Sequence, residues 1–214
     1  MLLQGANVRL RRAEPSDLED RWRWNNDPRV MQFLPRSAVP ASREQLLAWL
    51  RKSAEDPGDA IELAVETSDG RHIGGASLRD FDWKTRKAEF AIMIGEPECW
   101  GKGHGTDVTR LLLELGFDRL NLNRIWLTVD AEHSAAIRAY DKAGFREEGR
   151  LRQDRFLRGA YGDTILMAIL REEWEAQREM STAGDSAAAG DSADPAAEPD
   201  GAGLGAKSGE PRVS

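Results

Sequence analysis

The chain has 214 residues, 40% of them hydrophobic and 31% charged, with a formal net charge of −7. That is the balance of a soluble globular domain with or without a tail; no apolar run approaches the ~20 residues of a membrane-spanning helix, and the acidic balance excludes a nucleic-acid surface as the main business. Cys99 is the single cysteine, which excludes an intrachain disulfide and fits a reducing cytoplasm, and His72, His104 and His133 have no metal-ligand spacing with it, so no metal is expected.

The first residues, MLLQGANVRLRRAEPSD, reach arginine at once and carry neither an apolar stretch nor a small-residue cleavage site, so no signal peptide is read there. Residues 7–13 read as a strand. Residues 15–28 read as a helix that Pro15 and Ser16 open and Asn25-Asn26-Asp27-Pro28 breaks. A second helix is predicted over 41–56, where Ser42 and Gln45 have the capping-box spacing. Residues 61–67 and 72–81 flank Ser68-Asp69-Gly70-Arg71 as a hairpin, and 87–95 is a further strand dense in apolar residues. Val108, Leu111, Leu112 and Leu115 then fall at the i, i+3, i+4, i+7 spacing of one helix face. A strand over 124–130, a helix over 134–144 ended by Gly144, and two closing strands, the last over 163–170, complete the order β-α-α-β-β-β-α-β-α-β-β. Central hairpins rule out a regularly alternating parallel sheet, so the fold class is α/β with a mixed sheet in one domain, residues 1–180. From Ser181 the chain is small and polar. Six acids against Lys207 and Arg212 place −4 of the charge on 181–214 and leave about −3 on 1–180, and this tail is expected to be disordered.

The stretch CWGKGHGT, residues 99–106, stands between a predicted strand and a predicted helix. Three glycines in five positions are costly to order, and they suit a place where bare backbone must approach a phosphate at a helix start. A nucleotide P-loop does not fit, because Lys102 lies between glycines rather than before Ser or Thr; a dinucleotide fingerprint does not fit, because Thr106 stands where its last glycine belongs. A third reading is a cradle for the pyrophosphate of coenzyme A, and a family resemblance bears on it.

On these residues the chain resembles the GCN5-related N-acetyltransferases (GNAT), in particular the ribosomal-protein and spermidine branches. The run IGEPECWGKGHGT is similar to the family's motif A, Gln/Arg-x-x-Gly-x-Gly/Ala, with Trp100 in the Gln/Arg place and Gly103 and Gly105 as the small positions. Downstream, VDAEHSAAIRAYDKAGF resembles motif B: Ala136, Tyr140, Lys142, Gly144 and Phe145 match in register, and His133 stands where Asn is usual. A third run, WRWNNDPRVMQFLP (22–35), is similar to the ribosomal-protein branch, and the resemblance covers roughly residues 5 to 175. It implies a GNAT fold, about six or seven strands and about four helices, with the sheet splayed at the acetyl-CoA site. It also implies that Ile92, Met93 and Ile94 pair with pantetheine, that an N–H around Met93 faces the thioester oxygen, and that Trp100, Gly101, Lys102, Gly103, His104, Gly105, Thr106, His133 and Ala136 complete the cofactor site.

Direct acetyl transfer to an amine needs a held acyl donor, a neutral amine and a proton for the departing thiolate. An amine of pKa about 10.4 is ~3.4 units from neutral at pH 7, roughly 4.6 kcal/mol, whereas an α-amine near 7.7–8.0 needs only about 1–1.4 kcal/mol. Glu89, heading the strand that leads to the glycine loop, is the candidate base, set against a plain ion pair with Lys87 or Arg86; Tyr140 is the candidate acid, set against a core aromatic packed with Ile137 and Phe145. Cys99 precedes a helix but has no histidine base, and direct transfer needs no thiol. Trp22, Trp24 and Trp49 read as core. The NNDP run tilts the acceptor toward a protein N-terminal α-amine, with a polyamine, aminoglycoside or other small amine as the alternative. The expected enzyme is cytoplasmic, uses acetyl-CoA, binds neither nucleic acid nor membrane, and belongs to a superfamily in which homodimers are common. Two rivals stay open: a non-catalytic acyl-CoA-binding regulatory module, and a dinucleotide-binding oxidoreductase.

Overall fold

Strand pairing brings the whole of the predicted β content into one eight-stranded sheet. The computed structural model describes residues 3–34, 39–55, 58 and 60–189, with side chains described as far as residue 180. In chain order the strands are β1 (Leu3–Gln4), β2 (Val8–Arg12), β3 (Ala60–Thr67), β4 (His72–Asp82), β5 (Lys87–Ile94), β6 (Arg124–Asp130), β7 (Arg146–Leu157) and β8 (Ala160–Leu170). Their order across the sheet is β1-β2-β3-β4-β5-β6-β8-β7. Every pair is antiparallel except β5–β6, which is parallel. The sheet is mixed and the class is α/β, as expected. It has one strand more than the upper expectation because Leu3–Gln4 pairs with Leu10 and Arg9. The first of the two closing strands is β7, a charged edge strand exposed along most of its length, so no apolar alternation marks it in the sequence.

The helices are α1 (Leu18–Asn25), α2 (Pro28–Met31), α3 (Arg43–Glu55), α4 (His104–Glu114), α5 (Ser134–Lys142) and α6 (Arg171–Ala189). Two exceed the expected four: α2 is a single turn, and α6 had no apolar stripe to announce it. In the latter the Leu170 N–H donates to Glu173 Oε2 at 2.9 Å, and Trp174 stacks on Phe117 with ring centroids 6.1 Å apart. Helical backbone runs to Ala189, past the expected boundary at 181; the rest of the predicted disordered tail, 190–214, lies outside the described residues. The chain divides into two units, Met1–Arg178 and Glu179–Ser214.

Periodicity explains how the helices seat. The Val108, Leu111, Leu112 and Leu115 stripe is buried, in one cluster with Ala76 and Leu78 of β4 and Ala88 and Phe90 of β5. Leu112→Ala should therefore cost about 2–5 kcal/mol, lost methylenes plus a cavity, read as a lowered denaturant midpoint at unchanged slope. Ser42 Oγ accepts the Gln45 N–H at 3.2 Å, so the predicted cap of α3 is made.

The NNDP run has structural duties. Asn26 Nδ2 donates to the carbonyls of Trp22 and Ala41 and its Oδ1 accepts from Ala41 N–H, while Asp27 caps α2 by accepting the Arg29 N–H, with Pro28 in the first helical turn. These are the bonds of a helix break and re-start, so the run carries no information about an acceptor.

Candidate active site

The parallel β5–β6 ladder is short. Lys87 pairs with Arg124, Ala88 with Ile125 and Glu89 with Trp126, and pairing stops there. Beyond that point β5 continues to Ile94 held only by β4, and β6 continues to Asp130 held only by β8. The two strands part into a V whose vertex is at Glu89. A cleft of about 760 Å³ opens between them, floored by both strands, with the glycine loop and the start of α4, α5, and the α2 segment Arg29–Leu34 around it.

Strand alternation decides which backbone groups face this cleft. Gly95 N–H donates to Ile73 O at 2.8 Å, and the register runs unbroken through Ile94↔Gly74, Met93↔Gly75 and Ile92↔Ala76. In an antiparallel ladder the bonded residues alternate, so Met93 turns its N–H and C=O toward β4 while Ile92 and Ile94 turn theirs to the open edge. The Trp100 indole N–H accordingly reaches Ile94 O at 2.8 Å. This corrects the expectation for Met93: its N–H is spent on the sheet, and the backbone donors on the cleft edge are Ile92 and Ile94. The Met93 side chain still lines the cleft.

The glycine loop is built as the residue types require. Gly101 and Gly103 have φ of +73° and +83°, left-handed values that side chains resist, and Gly103 is the N-cap of α4. Asp107 N–H bonds Gly103 O at 3.1 Å, so the N–H groups of His104, Gly105 and Thr106 precede the first helical bond. A Cβ placed on Gly105 would meet no protein atom within 4 Å. The fold itself has no need of glycine there. His104 Nδ1 is buried with no partner, and Lys102 is exposed and does not line the cleft. Gly105→Val should raise the Michaelis constant for acetyl-CoA at least tenfold without lowering the thermal midpoint, because valine is the better helix former and meets no protein atom. Saturation kinetics beside a melting curve check this.

Tyr140 and Glu89 both line the cleft. The Tyr140 ring packs edge-on against Phe90 at 5.7 Å and against Phe145 at 5.9 Å, so the core-aromatic reading and the cleft position hold together. Burial pushes its phenol pKa up, keeping the proton on. Glu89 is 9% exposed, and its ion pair is with neither Lys87 nor Arg86: Arg79 Nε donates to Glu89 Oε2 at 2.7 Å, while Lys87 faces Asp82. His133 stacks on Phe33 at 4.1 Å, its pKa lowered by burial, and Ala136 lines the same wall. Cys99 is buried and its thiol pKa is pushed up, the opposite of an activated nucleophile. None of Trp22, Trp24 and Trp49 lines the cleft, and Trp24 is fully buried.

Arg79, Phe33 and Arg155 are among the cleft residues that sequence reasoning passed over. Arg155 Nε donates to Thr164 Oγ1 at 2.7 Å, and Arg155 forms no ion pair among the described residues. For Arg79 a signal existed: counting back across the hairpin from Glu89 arrives at it, but only if the bulge in the intervening pairing is known. Among the described residues no group of three or more His, Cys, Asp or Glu is placed to hold a metal, and no helix is long and apolar enough to cross a membrane.

Residues 7–146 match the family model of the acetyltransferase (GNAT) domain. The spermidine N(1)-acetyltransferase of Escherichia coli (strain K12) is 34% identical over 171 residues, 80% of this chain and 90% of that protein. That of Vibrio cholerae is 31% identical over 169 residues, 79% of this chain and 96% of that protein. The crystal structure of the Vibrio cholerae spermidine N-acetyltransferase in complex with CoA and spermine superposes with a TM-score of 0.72 at 31% identity, over 78% of this chain and 97% of that one.

Proposed function

This chain belongs to the GNAT acetyltransferase family and is an acetyl-CoA-dependent N-acetyltransferase, and we propose that its acceptor is the primary amine of a small polyamine. The observation that carries the site is the V between β5 and β6, with unpaired strand edge on one side and bare helix-start backbone at its mouth. For the acceptor class, the support is that the two spermidine acetyltransferases align over some four fifths of the chain, while the NNDP run that pointed to a protein α-amine is used up in helix capping.

In this reading the Ile94 N–H and the Ile92 C=O, both on the open edge, pair with pantetheine as a strand would, and the Ile92 N–H is left for the reacting carbonyl. The N–H groups of His104, Gly105 and Thr106, with Gly101 and Gly103 setting the loop, hold the pyrophosphate. His133 and Ala136 flank the arm, Trp100 ties the loop to Ile94, and Lys102 adds positive charge from outside the cleft. The Ile92 N–H, the donor nearer the vertex, faces the thioester oxygen as charge develops there. Glu89 takes the proton from the acceptor ammonium, directly or through one water. The neutral nitrogen forms the new C–N bond, and the C–S bond breaks. Tyr140 protonates the departing sulfur and is reprotonated by the proton that nitrogen sheds.

A second reading draws on Arg155. A guanidinium on the cleft wall without a carboxylate partner suits an acceptor that carries an anionic group beside its amine. One assay separates the two: release of free coenzyme A from acetyl-CoA, followed with a thiol reagent, over spermidine, spermine, an aminoglycoside, N-terminal peptides and free amino acids. The polyamine reading expects spermidine and spermine to give the highest kcat/KM. Preference for amino acids or peptides overturns it, and no acceptor-dependent release beside tight acetyl-CoA binding favours the regulatory module.

A further inference from the structure

On the sheet face that carries the Glu89 side chain, a line of charge crosses three strands. Arg21 of α1, 7% exposed, lies so close to Gly75 of β4 that a Cβ there would stand 2.1 Å from its Nη2. Arg21 Nη2 donates to Leu63 O at 3.1 Å, and its Nε is buried without a partner. Glu62 of β3 sits opposite Ser77 of β4, two residues from Arg79, and is the shared negative neighbour of both Arg21 and Arg79. Arg79 in turn stands directly across from Glu89. The sequence of charges, Arg21, Glu62, Arg79, Glu89, alternates in sign and ends at the vertex of the V.

The backbone accentuates that end. Pairing of β4 with β5 is regular up to Arg79↔Glu89, and then the register shifts before Asp82↔Lys87, with Asp80 in the left-handed region at φ +53°. Bulges of this kind re-aim a side chain and raise the local twist. Glu89 thus stands at the bulged end of the regular run with β4 and is the last residue of the parallel ladder with β6. Only one of its oxygens is held: Oε2 accepts from Arg79 Nε, and Oε1 has no partner among the described residues while the residue lines the cleft.

We propose that Arg79 is the positioning residue for Glu89, holding Oε2 so that Oε1 is presented to the acceptor amine in one orientation. A free glutamate samples many rotamers, and a base that must be ordered at each turnover loses the advantage of proximity. The guanidinium removes that freedom beforehand. The proposal rests on the reading of Glu89 as the base, and the test separates the two.

Six proteins are compared: wild type, Arg79→Gln, Glu89→Gln, their double variant, and the conservative control Arg79→Lys alone and combined with Glu89→Gln. Arg79→Gln should lower kcat about tenfold, leave the Michaelis constant for acetyl-CoA within twofold, and leave the thermal midpoint near that of wild type. Arg79→Lys should recover part of the loss. In the Glu89→Gln background the second change should cost nothing further, because there is no carboxylate left to position. A kcat for Arg79→Gln within twofold of wild type, beside an impaired Glu89→Gln, overturns the positioning role and leaves the base standing. Equal losses in both backgrounds overturn it as well, placing Arg79 elsewhere in the reaction. Full activity of Glu89→Gln overturns both. If Arg79→Gln does not fold, Arg79→Lys decides alone by the same comparison in the two backgrounds.

Discussion

Glu89→Gln is expected to lower kcat/KM for a polyamine acceptor by 10²–10³ at pH 7, within the usual range for loss of a positioned general base. A primary amine of pKa about 10.4 is all but fully protonated at that pH, and making it neutral costs roughly 4.6 kcal/mol. Glutamine keeps the size and shape of the side chain but cannot take the proton. It leaves the Arg79 guanidinium facing a neutral amide, while the glycine loop and the open edge of β5 are untouched. The loss should therefore fall on the acceptor side, with acetyl-CoA affinity unchanged by calorimetry. The pH dependence supplies the sign. As pH rises toward 10 the solvent itself delivers neutral amine, so the deficit of the variant should narrow steadily between pH 7 and pH 9.5. A deficit of constant size across that interval would mean that Glu89 does something other than accept the ammonium proton.

Tyr140→Phe is expected to lower kcat by about 10–10², the lower end of general-acid effects, because a thiol of pKa near 8.5 is already a fair leaving group. The ring contacts with Phe90 and Phe145 survive the change, so stability should stay within about 1 kcal/mol of wild type, and acetyl-CoA should bind as before. Burial raises the phenol pKa, so the acid stays protonated through the alkaline range in which an exposed tyrosine would ionise. Wild-type kcat should accordingly show no fall near pH 10 from this group. Initial rates with saturating acetyl-CoA, wild type beside Tyr140→Phe, test both statements. An unimpaired variant would reduce Tyr140 to the aromatic packing it also performs.

Much of the architecture is written in short-range pattern. The Val108–Leu115 stripe, the strand over 124–130 and the helix after His133 each follow from a periodicity of 3.6 or 2, and the structure has them within a residue or two. The glycine loop was readable for a similar reason: left-handed backbone at Gly101 and Gly103 and an uncovered Gly105 are properties of a few consecutive residues. The strand β7 and the helix α6 were hard to place because exposed charged elements repeat no apolar period. The NNDP run misled because a helix break satisfied by its own side chains looks, in one dimension, like a recognition motif.

What the chain determined by itself, then, was the kind of protein: a mixed α/β domain, a phosphate-approaching glycine turn with an acid heading the strand before it, and a tyrosine in a run that resembles an acetyltransferase motif. Tertiary pairing decided which atoms line the cleft. The backbone N–H groups of Ile92 and Ile94 rather than that of Met93 face the cleft only because β6 leaves β5 after Glu89, exposing alternate N–H groups along an edge that sequence shows as an unbroken apolar run. Arg79 rather than Lys87 or Arg86 holds Glu89 because strand register, corrected by a bulge, sets residues ten apart side by side, while Lys87 is drawn to Asp82 across that bulge.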